Sequence, residues 1–195
     1  MYKIKRLTQE ADLAVFERSY ISSFSERSKE AKRKLKCEEL RSSHSVFAVY
    51  KGRKIVAGFV LNLFPKRCLE DFSKTDQRDI VAKLGEENVC ELVGIWKDAG
   101  EKSAAATLFM WGGIIYKTLA VGRPYIFGCS RSEKVGREYY FRADLQLVPN
   151  PHSDLVVFYY TRKQFFMTFV NSLLSFAKKK SKKKQKLAKL NSVEA

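Results

Sequence analysis

Residues 89–160 alternate between strand-like and helix-like patterns, and this alternation constrains the fold more than any other feature of the chain. The order is the apolar run VCELVGIWKD, the helical segment SAAATLFMWGGIIYKTLAV, the apolar run PYIFGCS, the helical segment SEKVGREYYFRAD and the β-rich stretch DLVVFYY. Apolar runs of this length between helical segments are typical of strands in an α/β protein. Gly94 lies inside the first strand, where a glycine permits a β-bulge and close approach of a ligand. A binding site is therefore expected near this strand.

The N-terminal part of the chain supplies the remaining predicted strands. Residues 2–7 alternate in polarity and predict a short strand, and a helix follows from about residue 9. Residues 45–50 and 54–63 are β-rich and predict a hairpin around the turn Lys51-Gly52-Arg53. Residues 26–41 are dense in charge, so we expect a solvated helix or loop there.

The helix predicted over residues 103–121 is apolar on most of its faces, so we expect it to be well buried. Gly112 and Gly113 lie in its middle, where glycine lowers helix propensity. The pair therefore predicts close packing of this helix on the sheet.

The charge of the chain is strongly positive and partly concentrated at one end. The formal net charge is +16, and eight lysines fall between Lys178 and Lys189, directly after the apolar segment QFFMTFVNSLLSFA. We expect residues 1–162 to form one domain and residues 163–195 an amphipathic segment with a polybasic tail. The tail fits a solvated charge run, an anchor on anionic membrane, or, less well, a nucleic-acid contact. The basic body favours acidic partners in general.

The four cysteines predict neither a metal site nor a disulfide framework. No pair has the spacing of a zinc motif, and neither histidine lies at ligand spacing from a cysteine. Cys90 and Cys129 fall in apolar strands, where core thiols are usual. The N-terminus lacks an apolar signal core. We therefore expect a metal-free protein of the cytoplasm that can also lie at the inner face of a membrane.

Taken in order, the elements of residues 2–160 resemble the GNAT acyltransferase fold of the N-acetyltransferase superfamily. VFAVYKGRKIVAGFVLNL resembles the second and third strands of that family, CELVGIWKD its fourth, and GREYYFRADLQLV the segment after its last core helix. The resemblance implies an α/β (α+β) fold with a mixed, mostly antiparallel sheet flanked by helices. It also implies a bulged fourth strand that splays from the fifth. The backbone groups that hold the donor's thioester and pantetheine arm would then be those of Val93, Gly94 and Ile95.

The same resemblance suggests residues for proton transfer, because amine acylation needs a deprotonated nucleophile and a protonated leaving thiolate. Glu91 is the candidate general base, acting directly or through water. Tyr139 and Tyr140 lie where the family often places a general-acid tyrosine. Neighbouring side chains point in different directions, so at most one of these tyrosines would be the acid.

The turn before the long helix matches the family's pyrophosphate loop only in part. The resemblance places Lys97, Gly100 and Lys102 at that loop, where amides at a helix N-terminus would bind phosphate. Here lysines replace the family's glutamine or arginine and its small residue, and Asp98 and Glu101 disfavour a phosphate. Some similar enzymes, including autoinducer synthases and other long-chain N-acyltransferases, take their acyl group from acyl carrier protein, which is acidic and suits a basic surface.

The sequence therefore leads to an N-acyltransferase that moves an acyl group from acyl-CoA or an acyl-carrier-protein thioester to an amine by direct attack. The alternative is a non-catalytic GNAT-like module that binds membrane or nucleic acid through its basic surface and tail. A protein-lysine acyltransferase similar to toxin-activating enzymes would need a His–Asp pair, which this sequence does not place. P-loop, dinucleotide-binding, zincin and nucleophile-elbow motifs are absent.

Overall fold

The computed structural model describes residues 1–25, 35–130, 146–148, 156–168 and 170–171. These residues form one seven-stranded sheet whose spatial order is β1-β2-β3-β4-β5-β7-β6. Every neighbouring pair in this sheet is antiparallel except β4 and β5, which are parallel. The strands are β1 (Tyr2–Leu7), β2 (Ser45–Lys51), β3 (Lys54–Asn62), β4 (Val89–Lys97), β5 (Tyr125–Ser130), β6 (Gln146–Val148) and β7 (Val156–Thr161). The predicted mixed, mostly antiparallel sheet is confirmed.

Helices cover both faces of the sheet. The first face carries α1 (Glu10–Ser25), α2 (Cys37–Arg41) and α3 (Lys74–Leu84), and the second carries α4 (Ala104–Val121). A short helix, α5, spans residues 162–168 after the last strand. Side chains of β4 alternate accordingly, since Val89 and Val93 join the core under α1 while Cys90 and Leu92 join the core under α4. The central strands are therefore buried on both sides.

The hairpin of β2 and β3 has the predicted turn. Lys51 pairs with Lys54 across it, and Gly52 adopts a φ of +62° that ordinary residues rarely take. The hairpin brings Lys51 and Lys54 to one end of the sheet, beside the turn between β4 and α4. Both lysines contact that turn, as described below.

The two glycines of α4 differ in their surroundings. A Cβ at Gly113 would lie 2.1 Å from Cδ1 of Ile4, so this glycine lets α4 approach β1 closely. A Cβ at Gly112 would meet nothing within 4 Å, because this residue faces outward. The predicted close packing is thus confirmed for Gly113 and wrong for Gly112.

Part of the charged stretch predicted as a solvated helix or loop is instead a core element. Leu35 and Leu40 are each only 2% exposed, and Leu40 belongs to α2. Their charged neighbours point outward, and Glu39 accepts a hydrogen bond from the backbone N–H of Lys36 at 2.8 Å. High charge density identified a solvated face correctly but concealed the apolar face opposite to it.

Candidate active site

The parallel pair β4–β5 is short, and its end opens a split in the sheet. Ladder pairing runs from Val89 opposite Tyr125 to Glu91 opposite Phe127, and the later residues of β4 have no ladder partner on β5. β5 instead stays paired with β7 as far as Ser130. The two central strands therefore separate after Glu91. This is the splay that the family resemblance predicted.

A β-bulge in β4 lies immediately beyond this point. Val93 pairs with Val60 on β3, whereas Trp96 pairs with Gly58, so two residues of β4 oppose a single residue of β3. Those two residues are Gly94 and Ile95, and Gly94 has a φ of +59°. A Cβ at Gly94 would also lie 2.3 Å from Cδ1 of Leu35. Both the backbone angle and the packing therefore require glycine here.

Glu91 stands at the apex of the split and is fully buried. Its carboxylate accepts hydrogen bonds from Nδ2 of Asn62 at 2.7 Å and from the backbone N–H groups of Cys68 at 2.9 Å and Arg67 at 3.1 Å. These bonds compensate for the cost of burying a charged group. They also tie the turn that follows β3 to the centre of the sheet. The role of Glu91 as a base stays a prediction.

A polar cluster on the α1–α2 face surrounds this apex, and it was not recognised from the sequence. Nη1 of Arg67 donates to Oε1 of Glu39 at 2.6 Å, and the Arg67 side chain is only 12% exposed. Burial raises the pKa of the Tyr20 hydroxyl, with Arg67 nearby opposing the rise. No spacing in the sequence joins these residues, because they come from α1, α2 and the turn after β3.

The three thiols near β4 and β5 differ in environment. Burial raises the pKa of Cys68 well above its ordinary value, and Cys129 and Glu91 beside it add to the rise. Burial also raises the pKa of Cys90 to about 12. The predicted core position is confirmed for Cys90, whereas Cys129 is only half-buried, on the part of β5 that lies beyond the split. In the part of the chain that the structure describes, no group of three metal-ligating side chains forms a site.

The turn between β4 and α4 is filled by its own carboxylates. Asp98 accepts from Nζ of Lys54 at 2.6 Å and from the backbone N–H of Gly100 at 2.9 Å. Glu101 accepts from Nζ of Lys51 at 2.8 Å and from the backbone N–H of Ser103 at 3.0 Å. The hydrogen bonds from the lysines, and to a smaller extent those from the amides, hold the pKa of each carboxyl below its ordinary value. The Gly100 amide of the predicted phosphate loop, and the Ser103 amide directly after that loop, are therefore already bound to negative charge.

The remaining side chains of this turn are also placed. Nζ of Lys97 donates to Oγ1 of Thr107 on the first turn of α4 at 3.0 Å, while Lys102 is exposed. Ser103 is the N-cap of α4, and its hydroxyl accepts from the N–H of Ala105 at 3.1 Å. Lys97 and Gly100 are thus engaged inside the protein. Donor binding by these residues stays a prediction.

Tyr139 and Tyr140, the candidate general acids, lie outside the described residues, as does the polybasic tail. Their roles stay predictions.

Comparison with known proteins gives similarity at the level of structure. No family model and no curated protein matches the sequence. FeeM, an N-acyl amino acid synthase from uncultured soil microbes, superposes with a TM-score of 0.61 over 85% of this chain and 93% of FeeM, at 7% identity. The AHL synthase LasI gives a TM-score of 0.51 over 83% of this chain and 89% of LasI, at 14% identity.

A third similar structure is N-acetylglutamate synthase from Neisseria gonorrhoeae, solved with coenzyme A and N-acetylglutamate. Its TM-score is 0.53 over 83% of this chain and 35% of that longer chain, at 12% identity. The mixed sheet, the split after Glu91 and the bulge at Gly94 also match the fold predicted from the family resemblance. The chain therefore has the GNAT fold.

Proposed function

We propose that this protein is an N-acyltransferase that transfers an acyl group from a thioester to an amine. The observation that carries the proposal is the split between β4 and β5 with the Gly94 bulge beside it. A bulge needs a residue that tolerates positive φ, and it turns backbone groups away from the ladder toward a ligand. The similarity to an N-acyl amino acid synthase supports the same class of reaction.

The reaction proceeds by direct attack in this proposal. The amine nitrogen attacks the carbonyl carbon of the thioester, the C–S bond breaks, and the thiolate leaves with a proton. Backbone N–H groups of Val93, Gly94 and Ile95 would stabilise the negative charge that develops on the carbonyl oxygen. Tyr139 or Tyr140 would protonate the thiolate. Glu91 would receive the proton from the amine through a bridging water, because its own carboxylate is fully buried.

We further propose that the donor is carried by an acidic carrier protein rather than by free CoA. A CoA pyrophosphate at the turn before α4 would have to displace Asp98 and Glu101 from the amides of Gly100 and Ser103. Both carboxylates are also paired with lysines, so each is held in place by an ion pair as well as by an amide. A carrier protein brings its own contacts, and its acidic surface complements a chain with a net charge of +16.

The test measures donor binding and turnover in the same samples. Wild type is compared with the double variant Asp98→Asn/Glu101→Gln and with the control Glu38→Gln/Asp79→Asn, which removes two exposed carboxylates elsewhere. Melting temperature is recorded with octanoyl-CoA and with octanoyl carrier protein, because a ligand specific for the folded state raises it. Thiol release with a mixture of amino acids reports turnover.

We expect the carrier-protein donor to stabilise wild type and octanoyl-CoA to do so only in the Asp98/Glu101 variant. A gain of roughly tenfold in CoA affinity there corresponds to about 1.4 kcal/mol. Equal stabilisation of wild type and that variant by CoA would overturn the donor assignment. Absence of thiol release and of stabilisation with both donors would overturn the acyltransferase proposal.

The filled turn also favours a second candidate function, a non-catalytic module that keeps the fold without a donor site. In that case the basic surface and the lysines from Lys178 to Lys189 would bind anionic membrane or nucleic acid. Such a module would show salt-dependent binding to anionic vesicles or RNA and no thiol release. We propose a cytoplasmic, membrane-peripheral location for either function. Replacing the tail lysines by glutamine should weaken vesicle binding at low salt.

A further inference from the structure

Large exposed apolar side chains are concentrated on two helices. Seven such side chains occur among the described residues, and five of them belong to α4 or α5. Scattered single apolar residues are normal on a protein surface, but a cluster on adjoining elements indicates an interaction site. The five are Leu108 (44% exposed), Phe109 (43%), Tyr116 (67%), Phe166 (43%) and Met167 (45%).

Both helices lie on the same face of the sheet. The inner side of α4 packs through Met110 and Ile114 into the core of that face, and Phe165 of α5 packs against the same core. α5 also begins beside the end of α4, since the backbone N–H of Arg162 donates to the carbonyl of Pro124 at 2.7 Å. The exposed sides of the two helices therefore belong to one side of the molecule.

The outer side of α4 forms a continuous apolar stripe. Ala105, Leu108, Phe109, Gly112 and Tyr116 recur at helical spacing, and all five are exposed. The helix has 18 residues and is about 27 Å long at 1.5 Å per residue. Within the described ranges, α4 is the helix whose length and apolar composition would suffice to cross a membrane. Its inner side packs in the core, so only the outer stripe of this helix can contact another surface.

The charges on these two helices have one sign. α4 contains Lys117 and no acidic residue, and residues 162–168 contain Arg162 and Lys163 and no acidic residue. Nζ of Lys117 lies 5.1 Å from the ring centroid of Tyr116, so a cation borders the stripe directly. An apolar stripe on helices whose described residues carry only cations complements a surface that is apolar inside and anionic outside.

We propose that the outer side of α4, together with Phe166 and Met167 of α5, docks on an anionic phospholipid membrane with α4 parallel to its surface. The large side chains would enter the headgroup region, and Lys117, Arg162 and Lys163 would pair with lipid phosphates. A second copy of this chain would oppose cations to cations, and an acidic carrier protein would be held mainly by charge rather than by a stripe of apolar residues. The lipid surface therefore fits this side best. This proposal does not depend on the reaction proposed above.

The test is binding of the full chain to vesicles of 70% phosphatidylcholine and 30% phosphatidylglycerol, measured by co-sedimentation. Leu108→Gln is compared with Val15→Gln, because Val15 is an apolar residue of similar exposure, 39%, on α1 at the opposite face. A double variant, Leu108→Gln/Tyr116→Gln, enlarges the effect. Equal circular dichroism spectra and melting temperatures confirm that each variant is folded.

We expect roughly fivefold weaker partitioning for Leu108→Gln and a larger loss for the double variant, because apolar area no longer enters the lipid. Val15→Gln should bind as wild type does. The loss should persist at 0.5 M NaCl, whereas any contribution of the tail lysines is screened there. Wild-type vesicle binding by the double variant would overturn the proposal. So would a dimer in sedimentation velocity that the double variant abolishes without any change in vesicle binding.

Discussion

The bulge in β4 and the turn before α4 are only a few residues apart, yet they present their backbones in opposite ways. At the bulge, the side chain is absent from Gly94, and β4 has left its parallel neighbour. At the turn, Asp98 and Glu101 fold back onto the amides of Gly100 and Ser103. At the bulge, the backbone lies next to an open split. At the turn, carboxylates of the protein itself occupy the backbone N–H groups.

This difference separates two tasks that the GNAT fold can combine. In the proposed reaction, the bulged strand at the split would polarise the thioester carbonyl. The amides of Gly100 and Ser103, which precede α4, are occupied by Asp98 and Glu101 and would not be free for a pyrophosphate. Under the proposed function, thioester chemistry and phosphate recognition would therefore be separate properties of this chain.

The largest expected effect comes from replacing one glycine in each region by valine. Gly94→Val should lower the free energy of unfolding by about 3 kcal/mol, because valine disfavours positive φ and would collide with Leu35. Gly100→Val is the matched control, since a Cβ there meets only Oδ1 of Asp98 at 3.4 Å. Urea unfolding measures both. Equal losses at the two positions would show that the bulge is not the constrained region.

A smaller loss is expected at the apex of the split. Glu91→Gln should cost about 2 kcal/mol, because an amide NH2 would face the backbone N–H donors of Arg67 and Cys68. Glu39→Gln is the control, since this carboxylate is more exposed and accepts from the side chain of Arg67 rather than from its backbone N–H.

Activity then separates anchoring from catalysis at Glu91. If Glu91 receives the amine proton, turnover of the folded Glu91→Gln variant should fall by roughly 100-fold. Its pH–rate profile should also lose the limb that reports ionisation of the base. Retained turnover with reduced stability would leave Glu91 as a positioning residue only.

The smallest effect concerns pH at the turn. Because the pKa values of Asp98 and Glu101 are lowered in the folded state, their contribution to stability is present above their ordinary pKa values of 3.8 and 4.5. It is lost as pH falls through the lowered values. Wild type should therefore exceed Asp98→Asn/Glu101→Gln in urea midpoint at pH 7, and the two midpoints should converge as the pH falls below both ordinary values and through the lowered ones. A difference that is constant with pH would contradict this assignment.

The strands were predictable because their signals are local. Alternating polarity, the Lys51-Gly52-Arg53 turn and a glycine inside an apolar strand each reflect a few neighbouring residues. The bulge at Gly94 followed from the same kind of signal combined with the family resemblance. These features require no knowledge of distant contacts.

The partners of the site could not be predicted, because they come from far along the chain. Glu91 accepts hydrogen bonds from Asn62 and from backbone amides 23 and 24 residues away. Asp98 accepts one from a lysine 44 residues away. Acidic residues in the turn suggested repulsion of phosphate, but not that they would take its place. The burial of Leu35 depended likewise on the packing of Gly94.

The two lysines of the β2–β3 hairpin pair one to one with the two acids of the turn before α4. Lys51 with Glu101 and Lys54 with Asp98 each join one residue of the hairpin to one residue of the turn. Loss of either acid would leave an unpaired lysine beside the turn, which could then contact a phosphate. We therefore expect positions 51 and 101, and positions 54 and 98, to vary among related sequences as two linked pairs.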